Sequence, residues 1–298
     1  MINNDPLLQS RPAEPLSELT REVDVVQSTP SQLPKWLDAG LALMVWAVSV
    51  LCLLFVPLVL IIPYFLYRML SGHQITAQMA TDNTTLFLSI LGVIPAHAVT
   101  FLVVWVVVTR FRRLPFWQTI GFDWPESWSP TKGFLLSAVI AVALLALGLL
   151  ITKVFGGTKT QLDLLVESSA QARIATAIIA FATAPLVEEL VYRGVLYSAF
   201  ERAMGLPLAI AIVSFLFAAV HFVQYYNNLA VVAVITLLSI CLTCVRAATG
   251  KVLPAFIIHL VFNGIQSVVL LIQPTEAPST TPTTPGFHFL VSLFHRLI

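Results

Sequence analysis

The sequence predicts an all-α, polytopic transmembrane helix bundle with seven spans and a short eighth helix at the C-terminus. Three observations carry that prediction. Of 298 residues, 58% are hydrophobic and only 10% are charged, against about 25% charged in an average soluble domain. The mean hydropathy is +0.89. The 16 basic and 15 acidic residues are also not dispersed: they fall between long uncharged runs. So few charges would leave a soluble surface poorly solvated, so the lipid bilayer is the first partner. A net charge of +1 without a concentrated basic surface excludes nucleic acid.

About 20 consecutive apolar residues cross the hydrocarbon core as a helix, and the uncharged runs supply the spans in order. Ala39 to Tyr67, Asn83 to Thr109 and Gly133 to Thr152 give the first three, at 39–67, 84–109 and 133–152. The fourth, 174–200, is apolar except for Glu188, Glu189 and Arg193. Ala203 to Val245 is long enough for two helices, 206–223 and 229–245, if Gln224 to Asn228 is the turn between them. The seventh is 252–272. Residues 1–38 form a polar tail punctuated by proline, without the apolar core of a signal peptide. Residues 273–286 read as a Pro/Thr-rich linker to 287–298, an apolar segment too short to cross alone, which belongs at the interface or against the bundle.

Basic residues near the span ends set the orientation. With the N-terminus cytoplasmic, the inner segments hold Arg21, Lys35, Arg110, Arg112, Arg113, Lys132, Arg202, Arg246 and Lys251, and the opposite side holds Arg68, Lys153, Lys159 and Arg173. The expected location is an integral multi-pass protein of the plasma (inner) membrane, if the source is bacterial. Cys52, Cys241 and Cys244 lie within spans, which implies no extracellular disulfide framework. No phosphate loop, dinucleotide fingerprint or helical H-E-x-x-H is present, and no internal repeat is evident.

Glu188, Glu189 and Arg193 are the only charges well inside a predicted span. Burying an ionisable group there costs a few kcal/mol by insertion scales, so such a residue is a functional hypothesis by default. Glu189 and Arg193 are at i and i+4, in the favourable acid-before-base order. Glu188 is about 100° round the helix and does not share that arginine as directly, which makes it the reactive candidate. Pro185 interrupts the backbone ladder just before it, where water would have to enter. A purely structural ion pair is the alternative reading of this cluster. Phe217 and His221 are spaced i, i+4 on the fifth span, as are His259 and Asn263 on the seventh. At about 1.5 Å per residue, Glu188, His221 and His259 meet in the middle to inner part of the membrane. His97, after Pro95, has no partner at helical spacing and is assigned to packing.

Glu188-Glu189-x-x-x-Arg193, Phe217-x-x-x-His221 and His259-x-x-x-Asn263, in this order and on separate helices, resemble the three motifs of the CPBP family. These are the CAAX protease and bacteriocin-processing enzymes, intramembrane proteases of the type II CAAX prenyl endopeptidase kind. The resemblance covers about 174–272, including the Y-R-G-x-L-Y run from Tyr192 to Tyr197. It implies an eight-helix bundle that hydrolyses a peptide bond of a membrane-anchored or lipidated protein or peptide. Carried over, Glu188 and His221 activate water, His259 and Asn263 stabilise the oxyanion, and Glu189, Arg193 and Phe217 support the site. The family is commonly called metalloprotease, and Glu188, His221 and His259 are the zinc ligands if there are any. Using Glu188 as a ligand would leave only Arg-paired Glu189 as base, so metal-free, glutamate-driven hydrolysis is favoured, with no cofactor. The competing functions are a proton- or ion-coupled transporter with Glu188, His221 and His259 as relay, and a non-catalytic scaffold or immunity protein.

Overall fold

The computed structural model describes residues 34–74, 76, 79, 82–156, 163, 166–167 and 169–272. The linker at 273–286, the segment at 287–298 and most of the N-terminal tail lie outside the described residues. Among the described residues there is no strand, and seven helices are long and apolar enough to cross a membrane. The protein is an integral membrane protein of the all-α class.

The first span joins α1 (Lys35–Phe55) to α2 (Leu58–Leu70) across Pro57. It begins four residues before the predicted boundary because Lys35 and Asp38 add a polar first turn. α3 (Asn83–Thr109), α5 (Pro130–Phe155), α9 (Leu206–Tyr225), α10 (Leu229–Thr249) and α11 (Leu253–Ile272) form five of the other spans, within a few residues of expectation. The short α4 (Phe116–Ile120) was not expected. The remaining span, Ala170–Met204, is composite: α6 (Ala170–Ile178), a π-helical segment (Ile179–Thr183), α7 (Ala184–Glu189), a second π segment (Leu190–Leu196) and α8 (Tyr197–Met204).

Side chains cap several starts. The oxygens of Asp82, Ser129, Ser169 and Asn228 accept from the N–H groups of Thr85, Lys132, Ala172 and Val231, satisfying donors that the first helical turn leaves free. Partial burial pushes the Asp82 carboxyl up, but the Thr85 backbone and side-chain bonds, the Tyr64 hydroxyl and the Arg68 charge together hold it below the usual carboxylate value.

Two apolar clusters build the bundle. One joins α1, α3, α4, α7, the second π segment, α8 and α9, and the other joins α5, α10 and α11. The composite span runs through the centre, packed against α1, α3 and α11. Without a hydrophobic drive between helices in lipid, such contacts depend on close backbone approach at small residues. At Gly92 of α3, a Cβ would lie 2.4 Å from the Pro57 Cα. Gly92→Ala is expected to force the first two spans apart and to destabilise the protein by about 1–3 kcal/mol, read as a lower midpoint of thermal unfolding in detergent.

The two ends of the bundle differ. Lys35, Arg110, Arg112, Arg113, Lys132, Arg202, Arg246 and Lys251 gather at the end where α1 begins. Arg68, Lys153 and Arg173 are the described basic residues at the opposite end. At the Lys35 end the interior is packed shut: Leu196, Tyr197, Phe200, Ala209, Val252, Ala255 and Ile258 are each at most 5% exposed. The Val252 N–H donates to the Gly121 carbonyl at 2.8 Å, which fastens α4 beneath α11.

Candidate active site

The expected interruption at Pro185 takes the form of π turns on both sides of α7. In a π turn each N–H reaches the carbonyl five residues back. Pro185 has no N–H, so it cannot reach the Ala180 carbonyl, and that oxygen accepts from Asn263 Nδ2 at 3.0 Å. The Arg193 carbonyl, in the second π segment, accepts from Arg246 Nε at 3.2 Å. Backbone groups released by the irregular turns are thus satisfied by side chains of neighbouring spans, as lipid requires.

Glu189 and Arg193 are completely buried and paired at 2.9 Å, as their spacing predicted. The second guanidinium nitrogen of Arg193 donates to both the carbonyl and the Oγ of Ser239 on α10, each at 2.9 Å. The guanidinium also lies 5.0 Å from the centre of the Phe217 ring, a cation–π contact. Glu189 Oε1 accepts a second bond, from His259 Nδ1 at 2.9 Å. A carboxylate only accepts, so Nδ1 carries the proton and Nε2 is the other functional nitrogen. That Nε2 stands 3.7 Å from Glu188 Oε2. The Glu188 side chain keeps 22% exposure, while those of Glu189 and His259 keep 0% and 3%. One carboxylate is therefore spent on structure and the other is held loosely against the same imidazole.

His221 and His259 flank Phe217. His221 stacks on that ring at 4.6 Å and His259 meets it edge-on at 6.2 Å. The His221 Nδ1–H donates to the Phe217 carbonyl at 2.9 Å, which leaves Nε2 with its lone pair. A cavity of about 310 Å³ is lined by Phe217, His221, His259 and Asn263 at its inner part, with Val234, Leu238 and Phe262 as apolar wall. The motif histidines and Asn263 are thus brought together, and Glu188 joins them through His259. The cavity extends from the site towards Asp163, Asn228 and Leu270, at the Arg68 end of the bundle, and Glu188 is not among its lining residues. Counting depth from single helix ends placed the groups in the middle to inner part, and gave no direction of approach.

Three contributors escaped the sequence reading because each acts across spans. His97 Nδ1 is 2.9 Å from Thr183 Oγ1, in the first π segment, and the imidazole is within electrostatic range of Glu188. Trp46 of α1 donates its indole N–H to the Tyr192 hydroxyl at 3.1 Å, and Tyr192 packs edge-on against Phe217 at 4.9 Å. Ser239 is the third. Helical spacing within one segment finds none of them, and the proline before His97 was the nearest signal. Cys241 and Cys244 are free thiols.

His259 donates Nδ1–H to Glu189 and turns Nε2 towards Glu188, a second bond of the kind that metal-ligating histidines also make. Among the described residues, no group of three or more His, Cys, Asp or Glu is placed to hold a metal ion.

Fold and site define a polytopic helical membrane protein with an acid–histidine cluster buried in its core. Residues 170–265 match the model of the Rce1-like family, the type II CAAX prenyl endopeptidases. That segment holds all three motifs, so the resemblance read from them is borne out and implies a peptidase. No curated protein and no solved structure matches the chain.

Proposed function

We propose that this protein is an intramembrane endopeptidase of the glutamate type, acting on a membrane-associated protein or peptide. The observation that supports this best is the Glu188–His259–Glu189 arrangement in an otherwise apolar bundle, with His259 also lining the cavity that holds His221 and Asn263.

Glu188 is the general base. Water between its carboxylate and the scissile carbonyl gives up a proton to Glu188, and the hydroxide adds to the carbonyl carbon. His221 Nε2 accepts a hydrogen bond from that water and orients it. The charge that develops on the carbonyl oxygen is met by the Asn263 Nδ2–H not used on Ala180 and by His259 Nε2, which donates there when it carries a proton of its own beside the Nδ1–H held on Glu189. When the C–N bond breaks, the proton held on Glu188 passes to the leaving amine. Glu189, fixed by Arg193, sets the tautomer and plane of His259. No step uses a metal ion.

The reading is tested with purified protein and a panel of membrane-anchored peptides. Wild type is expected to cut at least one of them. Absence of cleavage, together with a Glu188-dependent proton flux in liposomes, would mean a transporter instead. Exhaustive chelation is expected to leave the cleavage rate unchanged, whereas loss on chelation with recovery on zinc addition would overturn the metal-free mechanism.

A further inference from the structure

We infer that Trp46 and His97, from the two spans ahead of the matched segment, are positioning residues of the catalytic site: together they clamp, from both ends, the short turn that carries Glu188. This rests on the protease reading above. Both residues lie outside residues 170–265, and neither belongs to any of the three motifs.

Glu188 and Glu189 end α7, which has only six residues and a π segment on each side. The wider turns break the i to i−4 ladder that would carry one helical phase along the whole span. The rotation and height of α7 are therefore set by what grips its flanks. Among the described residues the Glu188 side chain makes no hydrogen bond, and its contact with His259 Nε2 is 3.7 Å long. The base goes where the turn goes.

The grips are two hydrogen bonds from neighbouring spans. His97 of α3 meets Thr183, the last residue of the first π segment and five before Glu188, at 2.9 Å. The Thr183 hydroxyl spends its proton on the Ile179 carbonyl at 3.4 Å, so the imidazole is the donor, through Nδ1–H. Trp46 of α1 donates at 3.1 Å to the hydroxyl of Tyr192, in the second π segment and four residues after Glu188. At about 1.5 Å per residue both anchors stand within roughly 8 Å of Glu188 along the axis. Both clamping side chains come from inward stripes: Ala42, Val45 and Ser49 are buried beside Trp46 on α1, and Ala96, Thr100 and Val104 beside His97 on α3. The Trp46 end reaches further, because Tyr192 packs edge-on against Phe217 at 4.9 Å and Phe217 carries His221 stacked on it at 4.6 Å. Fixing Tyr192 thus fixes the turn of the base and the plane of the ring that orients the water.

The test is steady-state cleavage of a membrane-anchored peptide by the purified full chain, with a detergent melt of each variant. Trp46→Phe and His97→Phe keep aromatic bulk and remove one bond each. Both are expected to lower kcat roughly ten- to a hundredfold while KM stays within about twofold. His97→Asn places an amide N–H near the position of Nδ1 and is expected to keep most of kcat. A loss as deep as in His97→Phe would mean that the imidazole acts on Glu188 itself, and overturns the clamp. Trp46→Phe/Tyr192→Phe removes both partners of one bond, so its melt is expected to return towards wild type while kcat stays as low as in Trp46→Phe. Recovery of kcat together with the melt makes that bond structural and overturns the inference. Wild-type kcat in either single Phe variant overturns it as well and leaves the protease reading intact. If wild type itself cuts no anchored peptide, the protease reading fails and takes the positioning role with it.

Discussion

Glu188→Gln is expected to abolish peptide hydrolysis while the protein still folds. The substitution keeps the size of the side chain and removes the proton acceptor, and general-base catalysis contributes roughly 10²–10⁴ in rate. Glu188 makes no intrahelical ion pair, and its contact with His259 Nε2 is long, at 3.7 Å. The neutral amide therefore leaves little unsatisfied, and the thermal midpoint is expected to stay within the range of ordinary surface substitutions. The measurement is single-turnover cleavage alongside a detergent melt. A variant that keeps full activity would remove Glu188 from the mechanism, and one that loses activity only together with its melting transition would make it structural.

The opposite split is expected one residue later. Arg193→Leu leaves the Glu189 carboxylate, which has 0% exposure, with only His259 as partner. Breaking a buried pair from one side destabilises by about 3–5 kcal/mol. For a membrane protein this should appear as poor yield and an early melt. The double variant Glu189→Leu/Arg193→Leu is expected to recover much of that stability, because a buried pair exchanged for apolar residues is often near neutral. It should nevertheless stay inactive, because His259 loses the acceptor that holds its ring. Activity in the double variant would show that the pair has no positioning role.

The contrast between these neighbours explains how far the sequence could be read. The seven spans were legible because charge in a bilayer is expensive, so the gaps between charges are the helices. Glu189 and Arg193 were legible as a pair because both lie on one helix and 3.6 residues per turn brings them together. The bond from His259 to Glu189 was not, since nothing in the spacing of α11 tells which face of the composite span it meets. Arg193 to Ser239, Trp46 to Tyr192 and His97 to Thr183 are of the same kind. Pro185 signalled an irregularity, but the wider turns flanking it depend on partners such as Asn263 and Arg246 that arrive from elsewhere in the chain.

The two π turns also give the fourth span a property that a regular helix lacks. Each winds more residues into a turn than the α-helix on either side, so it shifts the angular phase of everything after it. The faces of α6, α7 and α8 are consequently set by three separate phases. α6 can present Thr176 to the cavity, α7 can turn Glu188 and Glu189 towards His259, and α8 can bury Tyr197 and Phe200, without one helical stripe having to serve all three. A one-residue deletion within Ile179–Thr183 would rotate the carboxylates by about 100° relative to α6 and leave the composition, length class and hydropathy of the span almost untouched. Chains in which all three motifs survive can therefore differ in whether those motifs face one another, and the difference would lie in the number of residues between Ile178 and Glu188.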